Sequence, residues 1–208
     1  MKNKYHDIIG FLLVVIHLVG MVGLSLNSSQ DIFLFLVPYN LLLTSFFCTF
    51  FISIKQNIKP IALIYLMGYV IEFIGVHTGF LFGEYSYGSV LGFKFFGTPL
   101  IIGLNWLILI LATHSLSLFF FRKDFFIILF ASLLMVFIDL FIEPVAINLG
   151  FWSWSQDVVP FQNFIMWFVA SFIMHYILVK FKTKIHFKLG FYLFLSQLLF
   201  FIYLFFNL

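Results

Sequence analysis

The chain has 208 residues, of which 63% are hydrophobic and only 9% are charged, and its formal net charge is +3. Soluble domains carry about 25% charged residues, so this composition, with a mean hydropathy of +1.15, excludes a water-soluble core and predicts a protein embedded in lipid. The basic residues fall in short loops and form no continuous stripe, which excludes a nucleic-acid-binding surface. The one cysteine, Cys48, lies in an apolar run and has no intrachain partner for a disulfide.

Seven apolar runs are long enough to cross a bilayer, which takes about 17–25 residues in a helix. They cover Ile8–Leu26, Ile32–Ile54, Ile61–Phe82, Leu100–Phe121, Phe125–Leu149, Phe161–Val179 and Phe187–Phe206. The lysines before the first run are also typical of a cleavable signal peptide. We expect a retained helix instead, because the run is long and residues 27–30 join it directly to the second span. The sequence therefore predicts an all-α, polytopic membrane bundle of seven helices that forms a single transmembrane domain over residues 1–208.

The distribution of basic residues predicts the orientation of the bundle. With the N-terminus in the cytoplasm, ten of the eleven lysines and arginines, Lys2 among them, lie on cytoplasmic segments, and Lys94 lies on the opposite side. This agrees with the positive-inside rule. It also agrees with an odd number of spans, which places the C-terminus outside.

Three carboxyl groups lie inside predicted spans, where a charge near the membrane centre costs about 2.5–3.5 kcal/mol even on the mildest scales. Glu72 lies in the third span, and Asp139 and Glu143 lie one turn apart in the fifth. At a rise of about 1.5 Å per residue, Asn105 reaches a similar depth from the outer side, and Asn163 lies nearer the outer end of its span. We therefore expect acids and amides from four helices to cluster in the outer half of the membrane.

Helical periodicity turns these acids toward the bundle interior. The shared faces are formed by Tyr65, Gly68, Glu72, Gly75 and Gly79 on the third span, and by Ser132, Asp139, Glu143 and Ala146 on the fifth. The spacing of Gly75 and Gly79 is a small-residue pattern that lets another backbone approach closely. We expect Glu72 to point into the bundle beside such a contact.

Carboxyl groups packed together in a low dielectric cannot all ionise, so at least one of the three should stay protonated at neutral pH. A neutral carboxylic acid beside an ionised one is the arrangement that acid–base catalysis needs. The alternative is an interhelical hydrogen bond, which is the more frequent role of a lone Asn105, Asn163 or Gln197. That alternative explains three neighbouring acids poorly, because no basic residue is predicted nearby.

The two long connections on the predicted outer side, residues 83–98 and 150–160, are rich in aromatic side chains. These are Tyr85, Tyr87, Phe93, Phe95, Phe96, Phe151, Trp152 and Trp154. Such residues often form an interfacial belt at a membrane boundary. Here two dense clusters flank acidic helices, which favours loops that form a lid and cover a site. The histidines contain no H-x-x-H or H-E-x-x-H pair, which excludes di-iron desaturases, and no metal site is expected.

Two blocks of residues between Glu72 and Trp167 form a recognisable pattern. The first is Glu72-x-x-Gly75-Val76-x-Thr78-Gly79-x-x-Phe82-Gly83-x-Tyr85-x-Tyr87, followed by Leu91-Gly92 and Pro99. The second is Asp139-x-x-x-Glu143-Pro144, Gly150-x-Trp152-x-Trp154 and Pro160-x-x-Asn163-Phe164-x-x-Trp167. Together they resemble the membrane carotenoid hydratases, a family that includes carotenoid 1,2-hydratases and bacterioruberin hydratases. Met166 and Val158-Val159 depart from the family pattern, which bears on loop geometry and substrate choice.

The resemblance implies an enzyme that adds water across the terminal C1–C2 double bond of an acyclic carotenoid end group. Its catalytic residues would be Glu72, Asp139 and Glu143: a neutral carboxylic acid protonates the alkene, water captures the tertiary cation, and a carboxylate accepts the proton that the water loses. The residues that it implies for substrate binding are Tyr85, Tyr87, Asn105, Trp152, Trp154, Asn163 and Trp167. Aromatic faces among them would stabilise the cation, and the reaction requires neither a cofactor nor a metal.

The resemblance also implies where the protein works and with what. The substrate would be an acyclic or monocyclic carotenoid that enters sideways from the bilayer, with membrane lipids and other carotenoid enzymes as neighbours and no nucleic acid. We expect a bacterial cytoplasmic (inner) membrane. Two other functions stay open: an isoprenoid-lipid cyclase or isomerase that uses the same acids, and a non-catalytic carrier whose buried acids couple protons to transport.

Overall fold

The computed structural model describes residues 2–208, with side chains from residue 4 onward. Within this range the helices are α1 Lys2–Ser25, α2 Gln30–Cys48, α3 Ile54–Thr78, α4 Ile102–Phe120, α5 Asp124–Asn148, α6 Phe161–Lys180 and α7 Gly190–Asn207. All seven are long and apolar enough to cross a membrane, which confirms the predicted number of spans. The first turns of α7, Gly190–Phe194, are π-helical. The side chain of Lys2, used above for the orientation, lies outside the described residues.

The fold is mostly helical, as predicted, and the two long connections, for which no secondary structure was predicted, contain short strands. They are β1 Tyr85–Tyr87, β2 Lys94–Phe95 and β3 Thr98–Pro99 between α3 and α4, and β4 Trp152–Trp154 between α5 and α6. β1 and β4 pair antiparallel, with Tyr85 opposite Trp154 and Tyr87 opposite Trp152. Because side chains alternate along a strand, the aromatic rings of this ribbon face the bundle and its serines face outward.

Helix α4 is the central element of the bundle, and most of its side chains are buried. It packs against α3, α5, α2 and the first turns of α7, which explains why its apolar residues cover all faces rather than one stripe. Two glycines allow the close contact with α3. A Cβ atom on Gly68 would lie 2.6 Å from the Cβ of Trp106, and one on Gly103 would lie 2.7 Å from the carbonyl oxygen of Tyr65.

The connection between α3 and α4 is re-entrant: it turns back and runs along α3. The hydroxyl of Tyr69 donates to the carbonyl of Phe95 at 3.3 Å, and the hydroxyl of Tyr65 donates to the carbonyl of Leu100 at 3.2 Å. Tyr65 lies about 20 Å along the helix from Thr78, the last residue of α3, at about 1.5 Å per residue. Helix α4 therefore begins level with the middle of α3.

Candidate functional site

Glu72 accepts hydrogen bonds from three side chains. The hydroxyls of Tyr85 and Tyr87 donate to its Oε2 at 2.6 and 2.5 Å, and the indole Nε1 of Trp106 donates to its Oε1 at 2.8 Å. The side chain is buried, as the helical face predicts. Burial raises the pKa of both tyrosines, and the nearby charge of Glu72 raises it further. Both hydroxyls therefore stay protonated and serve as donors.

The glycine pattern on α3 serves a different contact from the one expected. A Cβ atom on Gly75 would lie 2.7 Å from the ring of Phe82 and 2.8 Å from the hydroxyl of Tyr85. Gly79 ends the helix in the left-handed conformation, with φ of 62°. The prediction that this pair admits another backbone was wrong: Gly75 makes room for aromatic side chains of the following connection, and Gly79 turns the chain toward them.

Glu143 and Asp139 are joined by one amide. The Nδ2 of Asn163 lies 2.9 Å from Oδ2 of Asp139 and 3.3 Å from Oε1 of Glu143. The indole nitrogens of Trp152 and Trp154 each donate to Oε2 of Glu143 at 2.9 Å. Oδ1 of Asp139 is buried and has no hydrogen-bond partner among the described residues. Glu143 is therefore surrounded by donors, whereas Asp139 has one.

A small chamber of about 20 Å³ lies between the two groups of acids. This volume holds about one water molecule. Glu72 and Glu143 line it together with all of the predicted substrate-binding residues, namely Tyr85, Tyr87, Asn105, Trp152, Trp154, Asn163 and Trp167. Asp139 does not line the chamber, and it is linked to the chamber wall through Asn163. Residues from two connections and four helices thus converge on one space.

A larger apolar cavity of about 390 Å³ adjoins the chamber. Ile102, Asn105 and Trp152 line both spaces. The cavity lies among α1, α2, α4, α5 and α7, and its volume is in the usual range of small-molecule sites, about 300–1,000 Å³. Val19 and Tyr39 line it and are also exposed on the outside of the bundle. The exposure of these residues indicates that the cavity opens on the lateral face formed by α1 and α2, which a bilayer would cover.

The chain matches known proteins over most of its length. Residues 32–207 match the sequence model of a family described as carotenoid biosynthesis protein. The chain belongs to the carotenoid biosynthesis protein family. Bisanhydrobacterioruberin hydratase from Haloarcula japonica is 29% identical over 119 residues, which cover 51% of this chain and 39% of that relative. The chain thus matches well under half of the relative's length, and no solved structure matches it.

In this carotenoid biosynthesis protein, the chamber has the parts that proton transfer to an apolar molecule needs. Two carboxyl groups face a space for one water molecule, and the adjoining cavity is lined mainly by apolar side chains. Trp167 lines the chamber, and its ring lies 4.5 Å from that of Trp106. The rings of Tyr85 and Trp154, which also line the chamber, lie 5.1 Å apart. Aromatic faces of this kind attract a positive charge.

Trp106, Phe82 and Ile102 belong to the site but were not proposed as functional residues from the sequence. Trp106 donates to Glu72 and is fully buried, and Phe82 lines the chamber. Trp106 follows Asn105 deep in a predicted span, far from the interface where tryptophan usually lies. That unusual depth is the signal that could have identified it.

The described side chains contain no group of three or more His, Cys, Asp or Glu that could hold a metal ion. Two pairs of histidines do occur in the structure. The rings of His6 and His186 lie 4.0 Å apart, and those of His114 and His175 lie 5.4 Å apart. None of these four residues lines the chamber.

Proposed function

We propose that this protein is a carotenoid hydratase that adds water across the terminal C1–C2 double bond of an acyclic end group. The observation that supports it most is the pairing of two spaces: a chamber with two carboxyl groups and room for one water, and an apolar cavity that opens sideways. The cavity would hold the isoprenoid end with its reacting double bond at the border of the chamber, and the chamber would hold the water. The name of the Haloarcula relative supports a hydratase reaction.

The reaction needs one proton donor and one proton acceptor on the chamber wall. In the proposed mechanism, Glu72 or Glu143 in its acid form gives a proton to C2, the π bond breaks, and a tertiary cation forms at C1. An oxygen lone pair of the water then forms the C–O bond, and a carboxylate takes the proton that the water releases. The enzyme ends with as many protons as it had at the start, so the chemistry is balanced without an oxidant or a reductant.

Asp139 would act through Glu143 rather than on the alkene. The two acids are one turn apart on α5 and share the amide of Asn163. In a dry setting two such neighbours cannot both carry a charge, so we propose that they hold one proton between them. Asp139 is then a positioning residue that decides where that proton lies.

The polar and aromatic side chains of the chamber would serve the cation and the water. Asn105 lines both spaces and lies where the end group would enter the chamber. The faces of Trp154 and Trp167 line the chamber, and each would stabilise a desolvated cation by about 0.5–2 kcal/mol.

We further propose that the chain is a single transmembrane domain over residues 1–208 in a bacterial cytoplasmic membrane, with the N-terminus inside and the C-terminus outside. The placement of ten of the eleven basic residues supports this orientation. It puts the chamber in the outer half of the membrane. The carotenoid would then reach the cavity from the bilayer without crossing water.

Product analysis tests the proposed reaction. The protein is expressed in a host that accumulates an acyclic carotene. The pigments are separated by chromatography, and their masses are measured by mass spectrometry. We expect a product heavier by one water. A product of unchanged mass and altered retention would indicate cyclisation or isomerisation instead, and unchanged pigment would contradict enzymatic activity. Glu84→Gln, which alters an exposed acid in the α3–α4 connection, is the matched control for changes at Glu72 and Glu143.

A further inference from the structure

The apolar cavity contains a polar cluster of its own, formed by His17 on α1, Asn40 on α2 and Gln197 on α7. None of the three lines the carboxyl chamber. His17 and Gln197 are more than nine-tenths buried, with 7% and 6% of their surface exposed. Phe200, one turn beyond Gln197, packs edge-on against the ring of His17 at 6.0 Å, so the two polar side chains lie on adjoining parts of the wall.

The cluster contains buried hydrogen-bond acceptors that have no partner among the described residues. Oε1 of Gln197 and Oδ1 of Asn40 are buried without a hydrogen-bond partner among the described residues. Nδ1 of His17 lies 2.7 Å from the carbonyl oxygen of Leu13, so it carries the proton in a neutral ring. The other ring nitrogen, Nε2, is then an acceptor. Three acceptors from three helices thus border one apolar cavity.

Helix packing does not account for these atoms. No hydrogen bond joins the three side chains to one another within the described part of the chain, so they do not tie the helices together. Buried polar atoms are normally paired, and a buried acceptor without a donor is unfavourable. A ligand that brings a hydrogen-bond donor into the cavity would pair with one of these acceptors, whereas a hydrocarbon would leave them unpaired.

We propose that this cluster binds a hydroxyl group of the carotenoid, so that the preferred substrate already carries a hydroxyl on the part of the chain that lies in the cavity. The inference rests on the proposed function for its ligand class, an isoprenoid polyene. A hydroxyl can both donate and accept a hydrogen bond. It can therefore donate to an acceptor of the cluster while its oxygen accepts a hydrogen bond from an amide N–H of Gln197 or Asn40. A keto or ether oxygen accepts only and leaves all three acceptors unpaired.

A binding experiment with three matched ligands tests the inference. The purified protein in lipid nanodiscs is titrated with lycopene, with a lycopene derivative that carries one tertiary hydroxyl, and with the methyl ether of that derivative. The chain has four tryptophans; three line the chamber and the fourth, Trp106, donates to Glu72. Quenching of their fluorescence by the polyene therefore reports on binding at this site. We expect the hydroxylated ligand to bind about tenfold more tightly than the other two.

Two substitutions connect that preference to the cluster. Gln197→Met keeps the length of the side chain and removes its acceptor, and His17→Phe keeps a ring. In both variants we expect the hydroxyl preference to fall to about twofold or less, with the affinity for lycopene unchanged. Thermal unfolding of each variant shows whether the bundle is intact, and unchanged lycopene binding shows whether the cavity is. Equal binding of all three ligands to the wild-type protein, or a preference that survives both substitutions, would overturn the inference.

The experiment separates this inference from the proposed hydration. Titration in a Glu143→Gln background, with mass spectrometry of the recovered pigment, measures binding without turnover. A hydroxyl preference with no hydration in the wild-type protein would support the binding cluster and contradict the proposed function. Hydration of carotenes with no hydroxyl preference would support the function and contradict the binding cluster.

Discussion

Two clusters of titratable side chains lie inside the bundle, and their surroundings differ. Glu72 and Glu143 each accept three hydrogen bonds, including bonds from residues of the paired strands β1 and β4, and both line a chamber beside an open cavity. His114 on α4 and His175 on α6 stack on each other, and the side-chain hydrogen bond found for this pair joins His175 to Thr113 at 3.3 Å.

The comparison teaches how to interpret a polar residue in an apolar helix. Both clusters are buried, so burial alone does not distinguish them. The acids differ in that the connections between helices supply four of the six donors to Glu72 and Glu143, and a cavity large enough for a ligand adjoins the chamber that these two line. The histidines contact other helices of the bundle, which suits a role in packing. We therefore assign the chemistry to the acids and expect the histidines to be dispensable for it.

The largest effect is expected from Glu143→Gln. The amide keeps the size of the side chain but cannot carry the proton that the reaction moves. We expect conversion of the carotene to fall about 10³-fold, in line with general acid–base contributions, as measured by mass spectrometry of pigments. Glu84→Gln should convert as the wild type does. If the Glu143→Gln protein inserts in the membrane and retains full conversion, the assignment of the chemistry to the acids rather than to the histidines is contradicted.

Asp139→Asn should have a smaller effect, because Asp139 lies off the chamber and, in the proposed mechanism, acts through Asn163 and Glu143. We expect about a 10²-fold loss of conversion. We also expect a changed pH dependence of the rate, since one member of a proton-sharing pair is gone. A purely structural role would lower the amount of folded protein without moving the pH profile. An unchanged rate would remove Asp139 from the mechanism.

Trp106→Phe should have a moderate effect on stability, because Trp106 positions the side chain of Glu72 and does not itself transfer a proton. The change removes one donor to Glu72 and retains an aromatic ring against Trp167. Loss of a hydrogen bond to a carboxylate should lower the free energy of unfolding by about 1.5–3 kcal/mol, measured by thermal unfolding in detergent. Tyr87→Phe, which removes another donor to the same carboxylate, should act similarly. Variants as stable as the wild type would contradict this role for the three donors.

The smallest effect is expected from His114→Phe. The ring is retained and packs in the same place beside His175, and the chamber is untouched. We expect the rate of conversion to stay within about twofold of the wild type, as for changes that spare a site. A large loss of activity in a protein of normal stability would show that the pair of His114 and His175 also takes part in the chemistry.

The features predicted correctly are those that depend on local pattern. Seven apolar runs predicted seven helices, and the faces that carry Glu72 and Asp139 point inward as the periodicity requires. Helix ends were less accurate: α3 begins at Ile54 rather than Ile61. The residues before Asn57 form a short helical segment, and a kink at Asn57, whose φ of −120° and ψ of 16° are not helical, separates it from the rest of α3. Hydropathy misses this segment because it reports contact with lipid, whereas helix formation depends on backbone hydrogen bonds.

The features missed depend on contacts between distant parts of the chain. The pairing of β1 with β4 joins residues that are far apart in sequence, and no hydropathy pattern encodes it. The alternation of aromatic residues and serine in Tyr85–Tyr87 and Trp152–Trp154 was nevertheless a strand signal. The two connections that were expected to form a lid are joined by a paired ribbon whose aromatic side chains donate to the two glutamates.

The re-entrant connection has a consequence for how the protein is made. Because α4 begins level with the middle of α3, the segment before it must reach that depth as non-helical chain. Its carbonyls at Phe95 and Leu100 accept hydrogen bonds from tyrosines of α3, and in lipid such groups need partners within the protein. We therefore expect the connection and α4 to take up this position only when α3 is already in the bilayer and supplies those donors.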